Sequence, residues 1–376
     1  MTFETGHKNI SKGILDLSTR AFLLTLVLAA LPCMARATIG QQYISLALQG
    51  DLHSAKDLFA TVPPESLSEK ERKLSEQFAA RFLRRDESLE LPEAKPFVRD
   101  VVSAYRDYWT KVLMKELTDS EGEAHLKKSL RTALKKNGVK EKIADDAVLD
   151  RVKQELEAGG LHVLGGMTRP YLDLMLWSTE ESRHYDCQLT DAVQPVEVVF
   201  LDDFLVMGWS HFATFGIAYT GGWAGTDQLF CLRDDYDLES EKFKVSYLQH
   251  EARHFADYKL FPKLEQIDLE YRGKLTELAF ADTSLTSLIT HFAASGAFNA
   301  AAPHSYANAC VVRDLSRALF EEEVLDANDP RWKSATSTQV HATAHTLLEK
   351  NTKDLIAAGA ETTRGIIRPA DPKGHG

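Results

Sequence analysis

Apolar positions recur at three- and four-residue intervals along most of this chain, and that helical period breaks only in its middle. Tyr43, Leu46, Ala47 and Leu48 begin an apolar stripe that Gly50-Asp51 ends, and Ala55, Leu58 and Phe59 start a second one. Phe97 to Leu117 and Glu123 to Lys136 read as further amphipathic helices, with breaks at Pro63-Pro64 and from Pro92 to Pro96. Gly159-Gly160 and Gly165-Gly166 bracket a change of character. Strand-like runs follow at Val196 to Leu201, Thr214 to Thr220 and Gln228 to Arg233, with Gly221-Gly222-Trp223-Ala224-Gly225 between the last two. After Asp237 the period is helical again to about Ala358, interrupted around Ser295 to Pro303. Helices, a small sheet, then helices predict an α+β fold that is mainly α-helical.

Composition narrows the function classes. A net charge of −11 and 44% hydrophobic residues over 376 positions suit one large or two medium cores and argue against nucleic acid as a partner. Residues 1–37 read as an export signal: Lys8, Lys12 and Arg20 precede the apolar stretch Ala21 to Pro32, and Ala35-Arg36-Ala37 fits the small-x-small cleavage rule. The apolar stretch falls short of the ~20 residues of a membrane-spanning helix. No stable span is therefore expected after signal removal, and the mature chain should begin near Thr38 in the periplasm or outside the cell. Cys187, Cys231 and Cys310 then remain, without C-x-x-C spacing; export would permit two of them to pair.

The chemistry concentrates at His250-Glu251-Ala252-Arg253-His254, an H-E-x-x-H pattern inside a helix expected from Glu241 to Lys259, with Asp235, Asp237 and Ser240 as N-cap candidates. Histidines at i and i+4 project from one helix face, so both imidazoles can hold one Zn2+ ion. The intervening glutamate can take a proton from a water on that ion. Asp257, at i+7 from His250, shares the face and could either accept from a ligand imidazole or stand as a plain helix carboxylate.

A zinc site needs a third protein ligand. The next helix, expected from Lys263 to Phe280, offers Glu265, Glu270 and Glu277. If the two helices form an antiparallel hairpin turning near Leu260 to Pro262, His254 and His250 stand about 9 and 15 Å from the turn at 1.5 Å per residue. Glu270 stands level with them at about 12 Å, whereas Glu265 at about 5 Å is too low and Glu277 at about 22 Å too high.

These residues resemble the gluzincin group of zinc metallopeptidases, and Leu269-Glu270-Tyr271-Arg272-Gly273-Lys274-Leu275 is similar to the third-ligand helix of its secreted bacterial members. The interval from His254 to Glu270 is shorter than in the thermolysin and aminopeptidase patterns, where Gly273 and Lys274 occupy the expected places. The resemblance implies a helical N-terminal region over 38–160 and a zincin-like catalytic domain over 161–376. It makes His250, His254 and Glu270 the zinc ligands and Glu251 the general base, with a peptide or protein as substrate. It also implies that an edge strand ahead of the zinc helix, here Gln228 to Arg233, pairs with extended substrate. A donor to the oxyanion would come from His304, Tyr306, Arg313 or His291.

Other motifs lead nowhere. Gly208-Trp209-Ser210-His211-Phe212 lacks the final glycine of a nucleophile elbow, and the His341/His345 pair has Ala342 where a catalytic acid would stand. The competing reading is a non-catalytic periplasmic scaffold or binding protein whose N-terminal helices carry the function, with zinc structural or absent. The sequence leaves the oligomeric state open.

Overall fold

The computed structural model describes residues 38–86, 91, 94–225, 227–299 and 302–367, with the backbone of Leu23–Leu26. Six helices come first: α1 (Ile39–Leu48), α2 (Leu52–Ala60), α3 (Glu69–Phe78), α4 (Pro96–Leu113), α5 (Asp119–Lys136) and α6 (Val148–Ala158). Their boundaries follow local chemistry. Capping boxes at Thr38, Ser68 and Thr118 start α1, α3 and α5, Asp51 caps α2, and Pro96 occupies the first turn of α4.

Strands β2 (His162–Thr168), β3 (Tyr171–Gln188) and β4 (Val193–Met207) form an antiparallel meander. After α7 (Gly208–Thr214) come β5 (Thr220–Ala224) and β6 (Gln228–Leu232), and β6 joins β4 in parallel. With β1 (Leu23–Leu26) antiparallel on the outer edge of β5, the order is β1-β5-β6-β4-β3-β2. β1 falls in the apolar stretch of the expected export signal. The remainder of 1–37, including the expected cleavage point, lies outside the described residues.

Along β4, Val196, Val198 and Phe200 face one way into a cluster with Phe243, Tyr247, Leu248, Ala252 and Ala256, while Val199 and Leu201 face the other way with Trp177 and Trp223. The first face seats the helix that carries the H-E-x-x-H residues. The rest is helical: α8 (Glu241–Phe243), α9 (His250–Leu260), α10 (Gln266–Phe280), α11 (Leu285–Ser295), α12 (Pro303–Phe320), α13 (Arg331–Ser334) and α14 (Ser337–Ala357). α10 is the centre of this half, packed by α9, α11, α12 and α14, with every residue from Asp268 to Leu278 buried. The mainly helical α+β reading is correct.

Several sequence expectations change. Thr214 to Thr220 is not a strand: Thr214 ends α7, Phe215 turns left-handed at φ 55°, and only Thr220 enters β5. The Thr214 hydroxyl donates toward Ser210 O and Ala218 O and accepts from Ala218 N, so it closes a turn that a strand would have to open. The glycine segment forms β5 itself; a Cβ on Gly222 would stand 2.6 Å from Phe230 O and 3.0 Å from the Tyr247 ring. β2 and β3 escaped notice because Tyr171–Trp177 is buried on both faces and the following residues are mostly exposed, so neither part alternates. The change of character at Gly159-Gly160 is not a packing boundary. One core joins Tyr43, Trp109 and Leu130 to Tyr171, Leu176, Trp209 and Phe212, and Trp109 Nε1 donates to Leu172 O at 2.9 Å. Cys187, Cys231 and Cys310 are buried free thiols.

Candidate metal centre

Ser240, one of the three N-cap candidates, starts the helix by accepting from Phe243 N. The helix then runs without interruption from Glu241 to Leu260, but its second turn, Lys244–Gln249, is π-helical. Such turns concentrate at functional sites, and this one delivers the chain directly to His250. Phe261 to Glu265 reverse the direction, and α10 returns along α9.

The hairpin brings the expected ligands together. His250 Nε2 is 3.5 Å from Glu270 Oε2, His254 Nε2 is 3.7 Å from Glu270 Oε1, and the two rings stand perpendicular with centroids 4.7 Å apart. Separations of that size between donor atoms match a shared ion with bonds of about 2.0–2.2 Å. Ligand atoms of His250, Glu251 and His254 also lie within 4.8 Å of one another, and all four residues are at most 5% exposed. Neither ring nitrogen of buried His254 makes a hydrogen bond. An imidazole in that position lacks a partner that a cation would supply.

The charge balance agrees. Glu251, Glu270 and Glu277 are buried here beside a single ammonium, that of Lys274, 3.5 Å from Glu270 Oε2. His250 lies against two of these carboxylates, Glu270 and Glu277. Burial favours its neutral form, but hydrogen bonding and attraction from Glu270 and Glu277 win and push its pKa up to about 10. Burial would raise Glu270, yet Lys274 and the neighbouring imidazoles hold it well below the usual carboxylate range.

Two residues that sequence reasoning missed complete the arrangement. Glu277 Oε1 is 2.7 Å from His250 Nδ1, the carboxylate–histidine contact that fixes which nitrogen faces a metal. Counting height alone put Glu277 too far away. Helical side chains lean toward their own N-terminus, so in an antiparallel hairpin His250 leans away from the turn and Glu277 leans toward it. Gly273 is the other: a Cβ there would stand 2.7 Å from His250 Cε1 and Nε2, so the ring packs on bare backbone. The glycine at this place was the only signal.

The role considered for Asp257 goes to Glu277 instead. Asp257 takes Arg272 in a two-pronged ion pair, Nε–Oδ2 2.7 Å and Nη2–Oδ1 2.8 Å, with Arg253 Nε at 3.3 Å. At i+7 from His250 it sits opposite Arg272 of α10, and the bidentate geometry leaves it no imidazole to serve.

The candidates for oxyanion donor separate. His304 Nδ1 lies 2.7 Å from Glu270 Oε2, out of hydrogen-bond alignment, and its side chain is 43% exposed. Tyr306 is buried in the core of α10, α12 and α14, edge-on to Phe298. Arg313 pairs with Asp314 of its own helix. His291 is half-buried, its pKa lowered by burial and by Lys274 against the opposing pull of Glu277. Gln228–Leu232 is not an edge strand; it lies between β4 and β5. Comparisons of this chain with family models, with curated proteins and with solved structures find no match.

Proposed function

We propose that this chain is an exported, zinc-dependent peptidase that hydrolyses peptide bonds at the His250–His254–Glu270 group. The observation that carries the reading is the convergence of two imidazole Nε2 atoms on both oxygens of one carboxylate at 3.5 and 3.7 Å, in a buried group short of positive charge. The donor set, two nitrogens and one carboxylate with partly exposed His304 beside it, suits a catalytic zinc that keeps an open position. Bound there, the ion would supply a Lewis acid and lower the pKa of a water toward about 7.

The chain's own residues divide the remaining work. Glu277 holds the Nδ1 proton of His250 and leaves Nε2 as the donor. Lys274 and His304 flank Glu270 and limit its rotation. Glu251, next to His250 and with Oε2 4.0 Å from His254 Nε2, is the base that takes a proton from the attacking water and passes it to the leaving amine. Among the described residues no helix is long and apolar enough to cross a membrane.

The decisive experiment pairs metal analysis of the purified protein with digestion of an unselective peptide library, with and without chelator. About one zinc per chain and chelator-sensitive cleavage are expected. Glu251→Gln should keep the metal and lose about two orders of magnitude in hydrolysis. Full zinc without any chelator-sensitive cleavage would defeat the peptidase reading and leave a structural metal in a binding protein.

A further inference from the structure

The carboxylate of Glu270 meets three imidazoles. His250 Nε2 and His304 Nδ1 lie 3.5 and 2.7 Å from its Oε2, and His254 Nε2 lies 3.7 Å from its Oε1. The His304 approach is short enough for a hydrogen bond but lacks the alignment of one, and both Glu270 oxygens are left without hydrogen bonds among the described residues. Donor atoms that crowd one another without bonding behave as neighbouring ligands of a single ion. With bonds of about 2.0–2.2 Å in a tetrahedral shell, adjacent donors stand roughly 3.3–3.6 Å apart. The two α9 imidazoles are already close to that spacing, and His304 reaches it by backing away less than about 1 Å.

The three imidazoles are held in unlike ways. His250 and His254 project from α9 inside the packed α9–α10 pair, and Glu270 is buried opposite them. His304 comes from the first turn of α12, directly after Pro303, and its side chain is 43% exposed. The first N–H groups of a helix have no partner within it, so this end is the least constrained part of α12. The chain that leads to it, Asn299-Ala300-Ala301-Ala302-Pro303, carries only short side chains. Swinging His304 outward therefore gives up little buried apolar surface, whereas moving His250 or His254 would open the core.

We infer that His304 is a fourth, displaceable ligand of the metal: its Nδ1 closes the coordination shell in the resting chain and gives up that position when a ligand enters from solution. The inference rests on the metal site proposed above and not on its peptidase activity. Four protein donors mark a structural zinc, and three with an open position mark a catalytic one. A partly exposed fourth imidazole lets one site alternate between the two, closed at rest and open when occupied. His250, His254 and Glu270 hold the ion from buried, packed helices, so loss of His304 loosens the metal without releasing it.

Zinc-edge X-ray absorption and the visible spectrum of the cobalt-substituted full chain read the shell directly, with acetohydroxamate as the entering ligand. Wild type should show three imidazoles and a four-coordinate cobalt spectrum. His304→Ala should keep about one metal per chain, show two imidazoles, and bind zinc about tenfold less tightly in a competitive chelator titration. It should bind acetohydroxamate about tenfold more tightly than wild type, because no side chain has to leave first. Added imidazole should restore the wild-type spectrum to the variant. Should His304→Ala not fold, His304→Gln takes its place with the same expectations. A wild-type shell of two imidazoles, or an acetohydroxamate affinity that the variant leaves unchanged, would overturn the inference and make His304 a partner of Glu270 alone. No arm reads hydrolysis, so a metal-loaded chain without cleavage defeats only the peptidase reading, and a chain that takes up no metal defeats both.

Discussion

Two buried polar groups meet on α10, and they differ in whether their members satisfy one another. In the first, Arg272 spans from Asp257 of α9 to Asn351 and Thr352 of α14, and Arg253 links Asp257 to Asp191 at the tip of the β3–β4 hairpin. Two guanidiniums face two carboxylates, and the Arg272 hydrogen bonds to Asp257 are 2.7–2.8 Å. In the second, His250, His254, Glu251, Glu270 and Glu277 converge with one lysine, and the His254 ring makes no hydrogen bond. Burying ionisable groups is costly unless they are paired. The closed group answers that cost within the chain and serves the fold. The open group leaves the His254 ring nitrogens and both Glu270 oxygens without hydrogen bonds among the described residues.

His254→Ala breaks the open group most directly. Metal per chain should fall from about one to below about 0.1, because three protein ligands leave none to spare, and the melting temperature should no longer respond to chelator. A variant that keeps its metal would show that His254 belongs to a closed structural group after all.

Arg272→Ala attacks the other side of the comparison. It removes both hydrogen bonds from buried Asp257, leaving only Arg253 at 3.3 Å, and should cost about 3 kcal/mol in denaturant unfolding, while the folded fraction still binds metal. Loss of metal at unchanged stability would mean that the two groups are one.

Glu277→Ala sharpens the boundary of the open group. Removing the contact to His250 Nδ1 should weaken metal binding by about 10–100-fold in a competitive chelator titration. Glu277→Gln, which can still accept that hydrogen bond, should lose less. An unaltered affinity in both would return Glu277 to a packing role.

The smallest effect is expected at Glu241, which starts the same helix as His250 and caps α11. Its carboxylate accepts from the backbone of Asp282, Thr283 and Ser284 and from the Ser284 hydroxyl. Burial would raise its pKa, but these bonds lower it to about 2 from a reference of 4.5. A depressed carboxylate adds stability that is complete above the unfolded value and is lost as pH falls through the folded one. Glu241→Gln should therefore cost about 1 kcal/mol near neutral pH and make stability less steep between pH 4.5 and 2. An identical acid profile in both proteins would remove Glu241 from the caps.

The legible parts of this chain were those in which the signal is local. The helix start at Ser240, the facing histidines one turn apart and the level of Glu270 all follow from residues close in sequence and from the rise of a helix. Helices α1, α2, α4 and α5 were legible from their apolar spacing, whereas α3 and α6 were not singled out. β3 was not, because a strand buried on both faces for half its length and exposed for the rest has no period to read.

What the sequence by itself determined is therefore the helical character of both ends and the meeting of His250 and His254 with Glu270 across the hairpin. Only the tertiary structure decided which acid orients His250, why position 273 is glycine, that Asp257 belongs to Arg272, and that His304 reaches Glu270. Each of those depends on the direction in which a side chain leans and on what another element brings opposite it. Spacing along one helix carries neither.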